Sequence, residues 1–275
     1  NNLTRFLSRF LINYSYCDFI YIIVTWIMYS SYPFGLRIAN LFCSQSSCCQ
    51  NPKKRITTFK ILILVLTFFA YTAYHLSRRP LSVVKTILNR NCSDLNPPSD
   101  IIIANATKNT WCDWEPFNGP DANTLLGILD SSFLFSYAIF MFFSGFIAER
   151  CHLRYFLAIG MIMSGIFTYL FGIAYYYNIH SLYYFIIVQI ICGAFQTTGW
   201  PAVVTCVGHW FGPRSSRGLI FGIWNSHTNV GNILGAVIAG VFVEYNWGLS
   251  FIVPGIIIAV IGFLLFLFLT PCEFS

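Results

Sequence analysis

Six predominantly apolar runs of about 20 residues or more occupy most of this sequence, at roughly 59–88, 124–147, 154–176, 182–207, 218–243 and 248–270. A helix needs about 20 such residues to cross the hydrocarbon core of a bilayer. The runs are continuous rather than alternating, which selects helices over a membrane barrel. Only 9% of the residues are charged, against about 25% in an ordinary soluble domain, so most of the surface cannot face water. The predicted fold class is an all-α polytopic membrane protein with the lipid bilayer as its solvent. The formal charge of +6 forms no basic stripe with interleaved aromatics, so no nucleic-acid partner is expected.

The basic residues between runs set the topology. Lys53, Lys54, Arg55 and Lys60 precede the first run, Arg150 and Arg154 separate the second from the third, and Arg214 and Arg217 separate the fourth from the fifth. If the six runs alternate across the membrane, all of these fall on one side, which the positive-inside rule makes cytosolic. The opposite side carries a long loop, 89–123, expected to be lumenal. It holds two glycosylation sequons, at Asn91 and Asn105, which require a lumenal or extracellular location. Cys92 and Cys112 in the same loop are either a disulfide or two free thiols. The other eight cysteines form no CxxC and no cluster with histidine, so neither a metal site nor any cofactor is expected. Cys48-Cys49, just ahead of the basic cluster, is a weak candidate for palmitoylation. Residues 1–58 form an amino-terminal appendage. Its hydrophobic segment, 19–34, is short, is broken by Pro33 and Gly35, and lacks the form of a signal peptide.

Two adjacent arginines, Arg78 and Arg79, lie inside the first run, with Leu81, Val83, Val84, Ile87 and Leu88 beyond them. A charged residue at the centre of a spanning helix costs about 2.5–3.5 kcal/mol on insertion scales. On a helix, Tyr71, Tyr74, Arg78, Ser82 and Lys85 fall on one face. Guanidinium presents a planar fork of donors that matches phosphate oxygens, and tyrosine hydroxyls add neutral donors. The plainer alternative is that the arginines snorkel to the interface. Arg79 points about 100° away from Arg78 and is expected to pair with Asp130.

Four further stretches carry a resemblance. Gly145-Phe-Ile-Ala-Glu149-Arg150-Cys-His-Leu-Arg154 resembles the loop between helices two and three of the major facilitator superfamily, where an acid and bases latch the cytosolic gate. Gln196-Thr-Thr-Gly199-Trp200-Pro201, His209-Trp-Phe-Gly-Pro-Arg-Ser-Ser-Arg217-Gly218 and Trp224-Asn225-Ser-His227-Thr228-Asn229-Val-Gly231-Asn follow in order. Together with Tyr74-His75-Leu76-Ser77-Arg78-Arg79 they resemble the organophosphate:phosphate antiporter family of that superfamily. Within it the match is to the eukaryotic sugar-phosphate exchangers, relatives of the glucose-6-phosphate transporter, over about residues 59–270. The resemblance implies that Arg78 binds the substrate phosphate and that Arg79 is the neighbouring basic residue. It also implies that Tyr71 and Tyr137 are cavity tyrosines. Trp200-Pro201 matches a packing kink. Bacterial members carry a histidine where this chain has Thr228, one place after His227, and a lysine where it has Met141. Thus Tyr74, His227, Thr228 and Asn225 complete the substrate-binding candidates. Arg79, His75, Asp130, Glu149, Arg150 and Arg154 are candidates for a gating or supporting role.

Gly218-xxx-Gly222, Gly231-xxx-Gly235 and Ala236-xxx-Gly240 read as small-residue faces for close helix packing. Asn225, Asn229 and Asn232 form a polar seam that lines a cavity or bonds between helices. His152, His180 and His209 read as loop or interface residues, and no enzymatic constellation is evident.

The expected architecture is the six-helix amino-terminal bundle of a major facilitator transporter, with two three-helix inverted repeats and its carboxy-terminal six-helix bundle missing. The expected activity of the whole is exchange of glucose 6-phosphate for inorganic phosphate across the endoplasmic reticulum membrane by alternating access. The alternative is a non-transporting half that senses sugar phosphate or regulates a full-length partner.

Overall fold

The computed structural model describes residues 52–89, 114–117, 119–211 and 217–270. Among these it has nine helices: α1 (Pro52–Arg78), α2 (Pro80–Leu88), α3 (Ala122–Arg150), α4 (Leu153–Ile173), α5 (Leu182–Gln196), α6 (Gly199–Phe211), α7 (Arg217–Trp224), α8 (His227–Val243) and α9 (Leu249–Phe268). They make six spans long and apolar enough to cross a membrane. Residues 1–51 of the appendage with its segment 19–34, both sequons, Cys92, Cys112 and Arg214 lie outside the described residues, while residues 52–58 already belong to α1.

Three of the six spans are not single helices as expected but are each built from two. The first, Ile56–Leu88, breaks at Arg79 because Pro80 has no N–H to give the Leu76 carbonyl. The chain turns there, with Ser82 N donating to Arg79 O at 3.1 Å. In the fourth span, Leu182–Phe211, Thr197 and Thr198 turn their hydroxyls onto the carbonyls of Ala194 (2.7 Å) and Phe195 (2.9 Å). Side chains that bond nearby carbonyls compete with the helical ladder and bend it. Pro201 follows in the first turn of α6, where a missing N–H costs little. The break between the two helices therefore precedes Trp200-Pro201. The fifth span breaks at Asn225-Ser226, where Ser226 N and Thr228 N reach back only three residues, to Ile223 and Asn225.

Glycine decides which helices touch backbone to backbone. A Cβ on Gly235 would lie 2.6 Å from the carbonyl oxygen of Leu76, the one freed by Pro80, and a Cβ on Gly231 would lie 2.5 Å from that of Thr72. The Gly231-xxx-Gly235 face of α8 thus seats directly on α1. Gly165 of α4 packs against the Gly255 carbonyl of α9, and Gly193 of α5 against the Phe133 carbonyl of α3. Gly218, Gly222 and Gly240 face open space among the described residues, so two of the three small-residue faces are not used for packing there.

The core divides into two apolar clusters. One, at the end bearing Arg150 and Arg154, gathers Ile63, Leu153, Leu157, Val203, Trp210 and Leu265. Trp210 Nε1 closes that end by donating to Thr270 O at 2.7 Å. The other, at the opposite end, gathers Val84, Leu88, Phe117, Leu129, Phe171, Phe185 and Trp247. Trp114, Tyr175 and Trp247 stack around it, as aromatics do at a membrane–water interface. Arg78 belongs to neither cluster.

Candidate functional site

Against the second cluster, sharing Leu81, Phe171 and Phe251 with it, lies a cavity of about 250 Å³ lined by residues of α1 to α5 and α9, among them Arg78, Asp130, Phe133, Tyr137, Gln189 and Gln196. Arg78 ends α1 at the proline break, where the last carbonyls of a helix favour a cation. Its Nε donates to Gln196 Oε1 at 2.6 Å. A guanidinium has donors only, so the oxygen of the Gln196 amide must face it. The amide nitrogen then turns the other way and donates to Ser77 Oγ at 3.1 Å, and Ser77 Oγ donates to Tyr74 O at 2.9 Å. The guanidinium carbon stands 4.8 Å from the centre of the Tyr137 ring and 5.9 Å from that of Phe133. These two rings stack at 17°, giving the charge a flat aromatic support. Arg78 therefore does not snorkel. It is held inside the bundle by its Nε, and its terminal nitrogens make no hydrogen bond among the described residues. A guanidinium so held presents the face that grips an oxyanion with two parallel bonds.

The other candidates divide into a buried backing and an exposed face. Tyr71 and Tyr74 do not line the cavity with Arg78. Tyr74 is fully buried, with its hydroxyl 3.1 Å from Thr198 Oγ1. Tyr71 sits among Tyr74, His75, Trp200, Trp224 and His227, with ring centroids 4.7 to 5.8 Å apart. His75 and His227 stack at 5.7 Å, and Thr228 Oγ1 lies 3.4 Å from His75 Nε2 and 3.2 Å from His227 Nδ1. The one-residue offset between His227 and Thr228 turns the histidine inward, where it is buried, and leaves the threonine half-buried. Asn225 and Asn229 are exposed.

Arg79 is also exposed, and it does not pair with Asp130. Its Nε donates to Asn232 Oδ1 at 2.9 Å, because the 100° offset from Arg78 aims it at α8. Asp130 is instead bonded by Lys85 of α2. At the basic end, Glu149 and Arg150 are exposed. Arg154 is buried, donates to Tyr155 Oη at 2.6 Å and lies 4.7 Å over the Tyr155 ring.

Sequence reasoning passed over Gln196 as a cavity residue, quoting it only as the start of a motif, and it did not see the Lys85–Asp130 pair. A signal was present for both. Gln189 and Gln196 are seven residues apart in an otherwise apolar run, as are Arg78 and Lys85, and polar residues two turns apart on a spanning helix mark an inward face. No cluster able to hold a metal ion occurs among the described residues.

Residues 57–273 match the sequence profile of the Major Facilitator Superfamily. The chain is 57% identical over 215 residues to the glucose-6-phosphate exchanger SLC37A2 of Danio rerio, a match covering 78% of this chain and 43% of the relative. It is 56% identical over 216 residues to the protein of that name in Homo sapiens, covering 78% and 42%. It is 51% identical over 223 residues to the glucose-6-phosphate exchanger SLC37A1 of Mus musculus, covering 77% and 42%. The chain thus spans less than half the length of the curated relatives it matches.

Proposed function

The chain belongs to the Major Facilitator Superfamily, and on that premise we propose that it supplies the phosphate-gripping half of a sugar-phosphate:phosphate antiporter. The carrying observation is Arg78, which lines a cavity inside the bundle, pinned through Nε by Gln196 and backed by Tyr137, with its terminal nitrogens unbonded among the described residues. The names of the relatives point to glucose 6-phosphate as the organic substrate. Inorganic phosphate, the counter-substrate, offers the same oxygens to the same fork.

The physics of exchange follows from the charge. An arginine sealed into a spanning bundle without a counter-anion is expensive. The empty carrier therefore resists closing around the site. A bound phosphate neutralises Arg78, so closure is favoured only when the ligand binds the occluded form better than the open ones. A carrier that crosses only when loaded exchanges one phosphate for another. In this reading Tyr137 touches the ligand beside Arg78. Tyr71, Tyr74, His75 and His227 form the wall that holds α1 and α8 in place behind it. Thr228 and Asn225, with Arg79 and Asn232, face the rest of the translocation path and the second bundle. Glu149, Arg150 and Arg154 serve the gate at the basic end. The location this reading proposes is the endoplasmic reticulum membrane, supported by the resemblance to sugar-phosphate exchangers and by the two sequons in the loop that the positive-inside rule puts opposite the basic residues.

The test is counterflow of labelled phosphate into proteoliposomes holding glucose 6-phosphate, with the whole polypeptide that carries this bundle. Arg78→Ala is expected to abolish exchange, and Arg78→Lys to recover little, because an ammonium cannot grip two oxygens from one plane. Normal exchange rates in the alanine variant would sink the proposal.

A further inference from the structure

A carboxylate lines the same cavity as Arg78, and its presence needs a reason. A cavity built only for an anion is worsened by an acid. Asp130 lies seven residues before Tyr137 on α3, about 10 Å along the helix. Gln189 stands in the same relation to Gln196 on α5, and Lys85 follows Arg78 by the same seven residues across the α1–α2 break, where the first span runs in the opposite sense. These equal offsets divide the site into two levels. One holds Arg78, Tyr137 and Gln196. The other holds Asp130 and Gln189 on the cavity wall, with Lys85 bonded to Asp130. Phe133, Phe167 and Phe171 line the cavity as well, and their ring faces suit the apolar faces of a sugar.

The Lys85 bond makes the acid tolerable. The pair is neutral, so the cavity keeps the single positive charge of Arg78 and the carboxylate repels an incoming phosphate only weakly. The ammonium engages Oδ2 of Asp130, which leaves Oδ1 as an acceptor without a partner among the described residues. An ionised carboxylate accepts and never donates, so what it can receive is a hydroxyl or an N–H. The side chains of the pair are 26% and 46% exposed for Lys85 and Asp130 respectively, so a ligand can reach them without unfolding the bundle.

We propose that Asp130, held by Lys85, accepts hydrogen bonds from the hydroxyls of a polyhydroxylated organophosphate whose phosphate sits on Arg78. It thereby separates sugar phosphates from inorganic phosphate. This rests on the reading of the cavity as a sugar-phosphate site, and it goes further by assigning the residue that recognises the sugar. Asp130 touches the ligand directly, and Lys85 positions it.

The experiment compares three competitors of labelled-phosphate exchange in proteoliposomes containing the whole polypeptide: inorganic phosphate, methyl phosphate and glucose 6-phosphate. The readout is the ratio of half-inhibiting concentrations, glucose 6-phosphate over methyl phosphate. In the Lys85→Met/Asp130→Leu double variant, which removes both charges and leaves the net charge unchanged, the ratio is expected to rise about tenfold, the loss of one charged hydrogen bond. Where that variant does not fold, Asp130→Asn must move the ratio in the same direction. A ratio unchanged from wild type overturns the Asp130 assignment alone. Failure of glucose 6-phosphate to compete in the wild type overturns the sugar-phosphate reading and this assignment together.

Discussion

Replacing Gln196 with leucine removes the acceptor that holds the Arg78 Nε at 2.6 Å while keeping the side chain's approximate volume. A hydrogen bond to a charged group contributes about 1.5–3 kcal/mol, and the aromatic support from Tyr137 and Phe133 remains. Ser77 keeps its bond to the Tyr74 carbonyl, so the damage stays with Arg78. The guanidinium then has no fixed orientation before the ligand arrives, and the ligand must supply that ordering. At about 1.4 kcal/mol per decade, phosphate affinity is expected to fall by one to two orders of magnitude. Gln196→Glu is expected to be worse, since its carboxylate would pair with Arg78 and cancel the charge the phosphate needs. The assay is the half-saturating phosphate concentration for counterflow in proteoliposomes, with thermal unfolding in detergent as the check on folding. Tighter phosphate binding in Gln196→Leu would refute the reasoning, because it would mean that Gln196 competes with the ligand for Arg78 rather than aiming it.

Two other substitutions probe the frame that carries the site. Gly235→Val places a branched side chain where even a Cβ would lie 2.6 Å from the Leu76 carbonyl oxygen; overpacking of this kind costs about 1–3 kcal/mol, and a lowered melting temperature in detergent, with poor recovery of folded protein, is the expected result. Trp210→Phe deletes the 2.7 Å bond to Thr270 O and keeps the ring contact with Phe59; a loss of about 0.5–1.5 kcal/mol is expected to lower the melting temperature while phosphate binding is retained.

The fold class was legible because bilayer thickness acts on every span alike. Six apolar runs and the placement of Lys and Arg between them carry the six-span arrangement without any detail of packing. The breaks within spans were less legible. Pro80 announces one of them, but the turns at Thr197-Thr198 and Asn225-Ser226 depend on hydroxyl and backbone bonding that composition does not show. Helical periodicity put Tyr71, Tyr74 and Arg78 on one stripe. It could not tell that α6, α7 and α8 close over the tyrosines while the arginine alone opens to the cavity. The partner of Asp130 was misread for a related reason. Arg79 and Lys85 are both basic and both on the first span, and only the packing of neighbouring helices shows that Lys85 meets α3 while Arg79 meets Asn232 of α8. Gln196 escaped notice because an amide in an apolar run has no charge to flag it.

The glycine contacts have a mechanical consequence. Where α8 rests on α1 through Gly231 and Gly235, and α5 on α3 through Gly193, backbone meets backbone with no side chain between them to change rotamer. Each pair is therefore stiff, and the compliance of the bundle lies between pairs. Arg78 rides on the first pair; Tyr137 and Gln196 ride on the second. The 2.6 Å bond from Arg78 to Gln196, with the Gln196–Ser77 and Tyr74–Thr198 bonds beside it, ties one pair to the other, so a small slide of one past the other alters the grip on this cation.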